Sequence, residues 1–386
     1  MMQEAREIIT EQAAAKIEGG GKRRVISGKG LSRHSLFLRT CKECGVPFAV
    51  SKNHLWEEHG RILSLDSAQR LVIVERQIIA GILDKVAAKI GGEISSLYTR
   101  SKALDASQYV RSIMVGWKKL AAGYPAFKRP FYELLCDHSR ILGLADASVI
   151  EYHRGRRLTI ACTRCYSSAL FAGDILGAIY AGEHRAADIE VEQTGGHIFF
   201  RARFLEGDPP PDMNGHSFSW EVPLPGHITY RRCNRCGIPF SVSFFSWNLD
   251  QGTMIDTHNG QPVALINVAG INRVHDQILS TEGDWVDGYL LETIKEMVDG
   301  ILPGLEWKHR RPEERIRDLF FLAYRGMGNP IFTEKINDGI KARVENPFNY
   351  PLVAGIAASF LARGKPVKVE WERSMPGRLE IYVHFM

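Results

Sequence analysis

Apolar residues recur along the chain in two patterns, one typical of strands and one typical of helices. The apolar segments 60–65 and 71–74 are separated by the turn-like pair Asp66-Ser67, which predicts a β-hairpin. After the hairpin, apolar side chains follow a helical spacing that ends at Gly91-Gly92. The members of this apolar stripe are Ile78, Ile79, Ile82, Leu83, Val86, Ala87 and Ile90. We therefore expect a hairpin followed by an amphipathic helix.

The same pattern returns 192 residues later in the chain. A second hairpin is predicted over 252–266, with Asn259-Gly260 as its tight turn, and a second helix carries Ile271, Val274 and Ile278. Three pairs of residues share the spacing of 192: Cys41 and Cys233, Gly60 and Gly252, and Gly91 and Gly283. A constant spacing over about 50 residues predicts an internal duplication.

Each half is predicted to end in a helix of small residues and two strands. The helix at 172–182 matches the one at 354–364, here with a spacing of 182 residues. The closing strands are predicted at 189–192 and 197–204 in the first half, and at 367–372 and 378–385 in the second. The sequence thus predicts an α/β fold of the α+β kind, with two duplicated domains whose antiparallel sheets are backed by helices.

Changes in composition divide the chain of 386 residues into four parts. Residues 1–30 are predicted to form a helix and a basic arm, with the helix ending at Gly19-Gly20-Gly21. Residues 31–206 and 223–386 are predicted to be the two domains, and the proline-containing segment 207–222 a linker.

Bulk composition excludes several classes of protein. No apolar run reaches the roughly 18 residues of a membrane span, and the N-terminal stretch lacks the apolar core of a secretion signal. We therefore expect a cytoplasmic protein, either alone or as a subunit of an oligomer or complex. The net charge of +5 is concentrated in part in the basic arm, but no helix-turn-helix or basic-aromatic pattern favours nucleic-acid binding. The basic residues of the arm are Lys22, Arg23, Arg24, Lys29 and Arg33.

An eleven-residue segment with two cysteines occurs twice, at 41–51 and at 233–243. Seven of its eleven positions are identical, including both cysteines and the glycine that follows the second. Two thiols three residues apart, followed by glycine, form a turn that directs both sulfurs toward one metal ion. One such turn supplies two ligands, whereas a closed tetrahedral site needs four.

The two segments together therefore predict one metal site that joins the halves. Its ligands are Cys41, Cys44, Cys233 and Cys236. Zinc is expected, and a single iron of the rubredoxin type is the alternative. Two disulfides, four free thiols, or a separate ion for each segment are the other interpretations. In the last case His54 and His59 would complete the first site, but the matching positions in the second half are Ser246 and Gln251.

A third cysteine pair, Cys162 and Cys165, follows a predicted strand and precedes a helix. The positive end of the helix and Arg164 favour thiolate there. The second half has Val344 and Pro347 at the matching positions. The pair is interpreted as a second metal site, completed by Cys136 or a histidine, as a reactive dithiol, or as two small buried side chains.

Aromatic residues are concentrated in the middle of each half. They are interpreted either as core packing or as the lining of an apolar ligand pocket between helices and sheet. The candidate lining residues are Trp117, Tyr132, Phe320, Tyr324, Phe348 and Tyr350.

The C-terminal part of each half resembles the 4-vinyl-reductase family, also described as hydrocarbon-binding domains. The resemblance rests on the turn at 325–330, on Asn346-Pro347-Phe348, on the helix at 352–361 and on the two closing strands. It covers residues 284–386, and 93–204 less closely. It implies an antiparallel sheet backed by helices and the binding of small apolar or aromatic molecules. Some family members bind zinc through cysteines near the last helix and strands, but residues 352–386 contain no cysteine.

Two hypotheses of function follow from these patterns. The first is a metal-stabilised tandem-repeat protein that binds a small apolar or aromatic ligand. The alternative is an enzyme or enzyme subunit of aromatic or tetrapyrrole metabolism that uses Cys162 and Cys165 as thiolates or metal ligands.

Overall fold

The fold is given by a computed structural model that describes residues 39–91, 94–114, 125–208, 210, 222–301 and 311–386. The predicted N-terminal helix and basic arm (1–30), most of the linker (207–222) and Trp117 lie outside the described residues. None of the helices in these ranges has the length and apolar character that crossing a membrane requires.

Both halves have the same order of elements: three strands, a helical middle, two strands, a helix and two closing strands. The first half contains helices α1 (Phe48–Asn53), α2 (Arg76–Ile90), α3 (Ile94–Ile113), α4 (Lys128–Ile141) and α5 (Ser168–Glu183), and strands β1 (His54–Trp56), β2 (Ile62–Ser64), β3 (Arg70–Glu75), β4 (Ser148–His153), β5 (Arg157–Cys162), β6 (Ala187–Thr194) and β7 (His197–Phe204). The second half contains helices α6 (Ala269–Glu282), α7 (Trp285–Asp299), α8 (Ile316–Leu319), α9 (Phe321–Tyr324) and α10 (Tyr350–Ala362), and strands β8 (Phe245–Asn248), β9 (Thr253–Asp256), β10 (Pro262–Asn267), β11 (Asn329–Ile336), β12 (Gly339–Glu345), β13 (Val367–Met375) and β14 (Arg378–Phe385). Short 3₁₀ helices occur at Pro125–Phe127, Phe240–Phe244 and Pro312–Glu314.

A six-stranded antiparallel sheet at the centre takes three strands from each half, in the order β1-β2-β3-β10-β9-β8. The predicted hairpins form β2–β3 and β9–β10, and the halves meet where β3 pairs with β10. The proposed boundary between 31–206 and 223–386 therefore separates the outer parts of the halves but runs through one shared sheet.

Both faces of the central sheet are buried, because it lies between two hydrophobic cores. Along β3, Val72 and Val74 contact the larger core, whereas Leu71 and Ile73 contact the smaller one. This alternation is the expected consequence of the two-residue period of a strand. The smaller core contains the four cysteines of the duplicated segments.

Two outer sheets have matching strand orders, β4-β5-β7-β6 and β11-β12-β14-β13, and every adjacent pair is antiparallel. Their inner faces contribute residues to the larger core together with α5 and α10. The predicted α+β fold, with antiparallel sheets backed by helices, is confirmed.

Helix α5 packs closely on α3 through small residues. A Cβ atom at Gly173 would lie 2.6 Å from the backbone oxygen of Thr99, and one at Gly177 would lie 2.5 Å from that of Ala103. Gly355 of α10 approaches the backbone oxygen of Leu291 in α7 in the same way, at 2.7 Å. These contacts place α3 and α5 along the wall of the cavity described below.

Candidate metal centre and ligand cavity

The first cysteine segment forms a tight turn held by backbone hydrogen bonds. The N–H of Cys41 donates to Val46 O at 2.8 Å, and the N–H of Gly45 donates to Cys41 O at 2.8 Å. Gly45 has a φ of 77°, which glycine adopts without the penalty of a Cβ atom. The turn therefore requires the glycine that the sequence places after the second cysteine.

The second segment has the same geometry. Cys233 N–H donates to Ile238 O at 2.8 Å, Gly237 N–H donates to Cys233 O at 2.9 Å, and Gly237 has a φ of 75°. The N–H of Asn234 also donates to Glu43 Oε1 at 3.4 Å, so the two turns touch each other directly.

The four sulfurs converge on one point. Cys41 Sγ lies 3.8 Å from Cys233 Sγ, Cys44 Sγ lies 3.4 Å from Cys236 Sγ, and all four sulfurs lie within 4.8 Å of one another. A metal–sulfur distance near 2.3 Å places the sulfurs of a regular tetrahedron about 3.8 Å apart. All four cysteines are free thiols. They therefore lie close enough together to bind one metal ion.

Three of the four cysteines are buried and Cys236 is partly exposed, a setting in which a bound cation is favourable. Cys41 is 1% exposed and Cys44 4%. Burial and the neighbouring Cys236 raise the pKa of Cys44, and burial raises that of Cys233 to about 11. Against the effect of burial, the N–H groups of Cys44 and Glu43 lower the pKa of the Cys41 thiol. A cation at the centre would offset the repulsion among these sulfurs and stabilise their thiolate forms.

The alternative with separate ions finds no support in the placement of the histidines. Among the residues that the structure describes, the group of three or more ligand atoms at metal-binding spacing consists of the four cysteines. His54 is buried, its Nδ1 lies 3.0 Å from Val50 O, and burial lowers its pKa to about 4.

The third pair, Cys162 and Cys165, lies at the end of β5 as expected. Cys162 is 3% exposed, and Cys165 is partly exposed. Within the described ranges, no third cysteine, histidine or carboxylate joins the pair at metal-binding spacing. Cys136 instead lines the cavity of the first half, where burial raises its pKa to about 12.

A cavity of about 100 Å³ lies in the first half, between α3, α4, α5 and the central sheet. Its walls are mainly apolar. The apolar lining residues are Leu71, Ala106, Val110, Tyr132, Leu135, Leu142, Leu144, Leu158, Ile160, Phe171, Ile175, Ala178, Leu265 and Ile266. An engineered cavity that holds benzene has about 150 Å³, so this smaller space limits an occupant to a small apolar molecule.

Polar side chains gather in one part of the cavity wall. Lys102 Nζ lies 3.4 Å from Asp174 Oδ1, and Arg273 Nη2 lies 3.3 Å from Asp105 Oδ1. Asp105 is fully buried, and its Oδ2 makes no hydrogen bond of normal geometry. Asn267 Oδ1 accepts from the N–H of Ala269 at 2.9 Å, whereas its Nδ2 has no partner. Two residues of the cavity lining thus carry a buried polar atom without a hydrogen bond of normal geometry: Asp105 Oδ2, which lies beside Gly270, and Asn267 Nδ2.

Burial shifts the pKa values of these groups. It raises the pKa of Asp105 to about 6, although Lys102 and Arg273 oppose the shift, and it raises that of Asp174. It lowers the pKa of His138 to about 4, so this imidazole is neutral at pH 7 and shares a 2.7 Å hydrogen bond with the hydroxyl of Tyr109.

Equivalent hydrogen bonds identify which residues correspond between the halves. The indole N–H of Trp56 donates to Tyr324 O at 2.8 Å, and that of Trp247 donates to Ile141 O at 2.9 Å. The N–H of Ile73 donates to Arg325 O, and that of Leu265 donates to Leu142 O. Each half thus binds the other reciprocally, and corresponding residues lie 182, 183, 191 or 192 positions apart.

The corresponding site of the second half is nearly filled. Only about 20 Å³ is left there, because Phe360 stacks on Phe321 with ring centroids 4.1 Å apart. Arg325 is buried in this wall and binds both carboxylate oxygens of Glu75, at 2.8 and 2.9 Å, and Asp256 Oδ2 at 2.5 Å. A third cavity, of about 40 Å³, lies between the halves and is lined in part by Phe348.

The predicted aromatic pocket is divided among several places. Tyr132 lines the first cavity and Phe348 the third. Phe320, Tyr324 and Tyr350 line none of these three cavities, and Tyr350 instead stacks on Trp371.

Sequence reasoning did not find Asp105 or Asn267. The sequence signal for Asp105 is a charged residue among small ones, next to Ala103 and Ala106, and the structure shows that this part of α3 is buried.

Comparison of the chain with protein-family models, with curated proteins and with solved structures finds no match in any of the three.

Proposed function

We propose that this protein binds a small apolar or aromatic molecule in the cavity of its first half, and that a structural zinc ion on the four cysteines holds the two halves together. The observation that carries the proposal is the mainly apolar cavity of about 100 Å³ whose lining includes Asp105 and Asn267, each with a buried polar atom that lacks a hydrogen bond. Few such sites occur in one protein, and pockets of this kind are typical binding sites.

Zinc is the proposed metal because four thiolates in a tetrahedral arrangement are its usual structural ligand set. The set leaves no open position for a substrate, so the ion is assigned a structural role. Iron of the rubredoxin type has the same ligands and is the alternative. Free thiols at this site are typical of a reducing compartment, which agrees with a cytoplasmic location.

The two unsatisfied atoms define the polar end of the ligand. Ionised Asp105 accepts a hydrogen bond from an O–H or N–H group, and Asn267 Nδ2 donates one to an oxygen or ring nitrogen. A buried polar group left without a partner costs about 1–3 kcal/mol, so a ligand that satisfies both is favoured over a plain hydrocarbon of the same shape. We therefore infer an aromatic or alicyclic ligand that carries a hydroxyl or amide group.

The asymmetry between the halves supports this assignment. Lys102, Asp105, Tyr109, Asp174 and Ala178 correspond to Ile294, Met297, Ile301, Ile356 and Phe360. The second half has therefore replaced each of these polar residues by an apolar one and the alanine by a phenyl ring that fills the space. The second site keeps other charges, but there Arg325 is paired with Glu75 and Asp256, whereas Asp105 and Asn267 of the first site each retain an unpartnered polar atom.

The resemblance to 4-vinyl-reductase domains agrees with this proposal. The second half contains the expected order of strand, Asn346-Pro347-Phe348, helix α10 and the closing strands β13 and β14. We infer a ligand-binding role of the kind that this family implies, with the first half as the binding half.

Binding of phenol and toluene to the purified chain, followed by ligand-observed NMR and calorimetry, tests the function. We expect phenol to bind more tightly than toluene, because only phenol satisfies Asp105. Ala178→Phe, which copies Phe360, should abolish binding of both. The matched control is Phe360→Leu at the corresponding position of the second half, which leaves the first cavity unchanged and should retain binding. If the wild type and Ala178→Phe bind each compound with the same affinity, the proposed site is refuted.

A further inference from the structure

The turn between Cys162 and Cys165 is fixed from outside by one carboxylate. Asp146 Oδ1 accepts from the N–H of Thr163 at 2.8 Å and from the N–H of Arg164 at 2.9 Å, and Asp146 Oδ2 accepts from the hydroxyl of Thr163. Cys165 also forms a β-bridge with Ala145. The two thiols are therefore held on a rigid turn.

A buried guanidinium without a carboxylate partner lies beside this turn. Arg76 is 8% exposed, its Nη2 donates to Gly252 O, and its Nε has no hydrogen-bond partner. Within the part of the chain that the structure describes, no carboxylate forms an ion pair with it. A buried charge is expensive unless it is paired, so a nearby anion is required.

The Cys165 sulfur is the group that can supply this anion. Arg76 binds Gly252 O, Gly252 packs against the backbone of Ala145 and Asp146, and Ala145 pairs with Cys165. Burial lowers the pKa of Arg76 to about 10, and the negative charges of Cys165 and Asp146 oppose this shift. The oxygens of Asp146 are already engaged with the turn. Donation from the Cys162 thiol, the charge of Arg76 and the N–H of Ser167 lower the pKa of Cys165 against the effect of burial. The pKa of Cys162 is raised, first by its hydrogen bond to Cys165. Of the two thiols, the partly exposed Cys165 therefore ionises more readily, and the buried Cys162 holds its proton more tightly.

We propose that Cys162 and Cys165 form a redox-active dithiol that exchanges with disulfides of small thiols, with Cys165 as the attacking sulfur and Cys162 as the resolving one. The Cys165 thiolate attacks one sulfur of the disulfide, forms a mixed disulfide and releases one thiolate. Cys162 then transfers its proton to that leaving thiolate and attacks the Cys165 sulfur, which breaks the mixed disulfide and releases the second small thiol as its thiolate. The products are a Cys162–Cys165 disulfide and two reduced small-thiol molecules.

The whole arrangement is confined to one half. Val344, Pro347 and Val268 occupy the positions that correspond to Cys162, Cys165 and Arg76. The cation and both thiols are therefore absent together in the second half, which agrees with a single functional unit. The dithiol uses none of the cavity atoms assigned to ligand recognition, so it stands independently of the proposed function.

Exchange with oxidised glutathione tests the proposal on the full-length, metal-loaded chain. After incubation, free thiols are alkylated and the peptides are mapped by mass spectrometry. We expect a Cys162–Cys165 disulfide in the wild type, and in Cys162→Ser a glutathione adduct trapped on Cys165. Cys136, which is buried and has a raised pKa, serves as the internal control and should stay unmodified.

The role of Arg76 is tested through the alkylation rate of Cys165 in Cys162→Ser at pH 7. Replacing Arg76 by Met should slow it severalfold, because the positive charge that favours the Cys165 thiolate is lost, whereas Arg76→Lys should preserve most of the rate. If Cys165 reacts no faster than Cys136 in the Arg76-intact protein, or if Cys162→Ser traps no adduct, the dithiol is not redox-active.

Discussion

Ile73 and Leu265 lie directly opposite each other where β3 pairs with β10, and they are also corresponding residues of the two halves. The pairing is symmetric about them, since Val263 faces Glu75 and Asn267 faces Leu71. The two closest sulfur pairs, Cys41 with Cys233 and Cys44 with Cys236, are likewise corresponding residues, 192 positions apart. The sheet contact and the cysteine site therefore lie on one approximate twofold axis, which the two halves share.

Loss of one metal ligand should destabilise both halves together. A structural zinc ion contributes on the order of 10 kcal/mol in small zinc domains, and the four candidate ligands here come from both sides of the axis. We expect Cys44→Ser to abolish bound metal and to lower the free energy of unfolding by several kcal/mol. The measurement combines elemental analysis with urea unfolding in the presence and absence of a chelator.

Cys165→Ser is the matched control for that experiment, because Cys165 is a free cysteine outside the cluster. It should keep one metal ion per chain and the wild-type response to chelator. Two ions per wild-type chain, with one lost in Cys165→Ser, would contradict the single shared site.

Truncating the large side chain in the filled site should destabilise the fold, whereas enlarging the small one in the open cavity should change stability little. Phe360→Ala removes a ring stacked on Phe321 and should cost about 3–5 kcal/mol of unfolding free energy. Ala178→Phe places a ring in existing space and should change stability by less than about 1.5 kcal/mol. Thermal and urea unfolding of both variants check this, and equal losses would show that the first cavity is not an open space.

The buried Arg325 should be essential only while its two acidic partners are present. Its counterpart is Leu142, and the counterparts of Glu75 and Asp256 are Asn267 and Ser64. Arg325→Leu leaves two buried carboxylates without their cation, and we expect a loss of about 3–5 kcal/mol.

The triple variant with Arg325→Leu, Glu75→Asn and Asp256→Ser reproduces the corresponding residues Leu142, Asn267 and Ser64, and it should recover most of the stability lost by Arg325→Leu. Urea unfolding of the single and triple variants measures the difference. A triple variant as unstable as the single one would mean that the ion pairs themselves, and not the unpaired acids, determine the effect.

Short-range sequence patterns were sufficient to predict much of the fold. The hairpins around Asn259-Gly260 and 66–69, and the turn at Gly45, follow from residue types whose backbone preferences are strong. The convergence of the cysteines followed from ligand number, since two turns of two sulfurs each are incomplete alone.

Pairings between distant segments could not be predicted in the same way. The sequence contains no local signal that β3 pairs with β10, because a fully buried strand such as 71–74 is apolar on both faces whatever its neighbour is. The polar cavity wall depends on the same long-range contacts: Asp105 and Asn267 come from different halves. The pocket was instead predicted from the aromatic residues, of which Phe320 and Tyr324 pack in the core.

Asp105 should make the stability of the fold depend on pH in a specific direction. Its pKa of about 6 exceeds the ordinary value of 3.8, because burial disfavours the charged form despite the nearby Lys102 and Arg273, while Asp174 raises it further. The folded state thus binds this proton more tightly than the unfolded chain. The resulting stabilisation is fully present below pH 3.8 and is lost as the pH rises through 6.

Asp105→Asn removes this titration, so the difference in unfolding free energy between wild type and variant should shift by about 3 kcal/mol, against the wild type, from pH 3.5 to pH 7. His54 and His138, whose lowered pKa values give the opposite slope, are present in both proteins and cancel in the comparison. Urea unfolding at closely spaced pH values measures the difference. A constant offset between the two curves would mean that Asp105 titrates at its ordinary pKa. The carboxylate would then be in contact with water. Such a site would not be the dry one that ligand recognition by Asp105 requires.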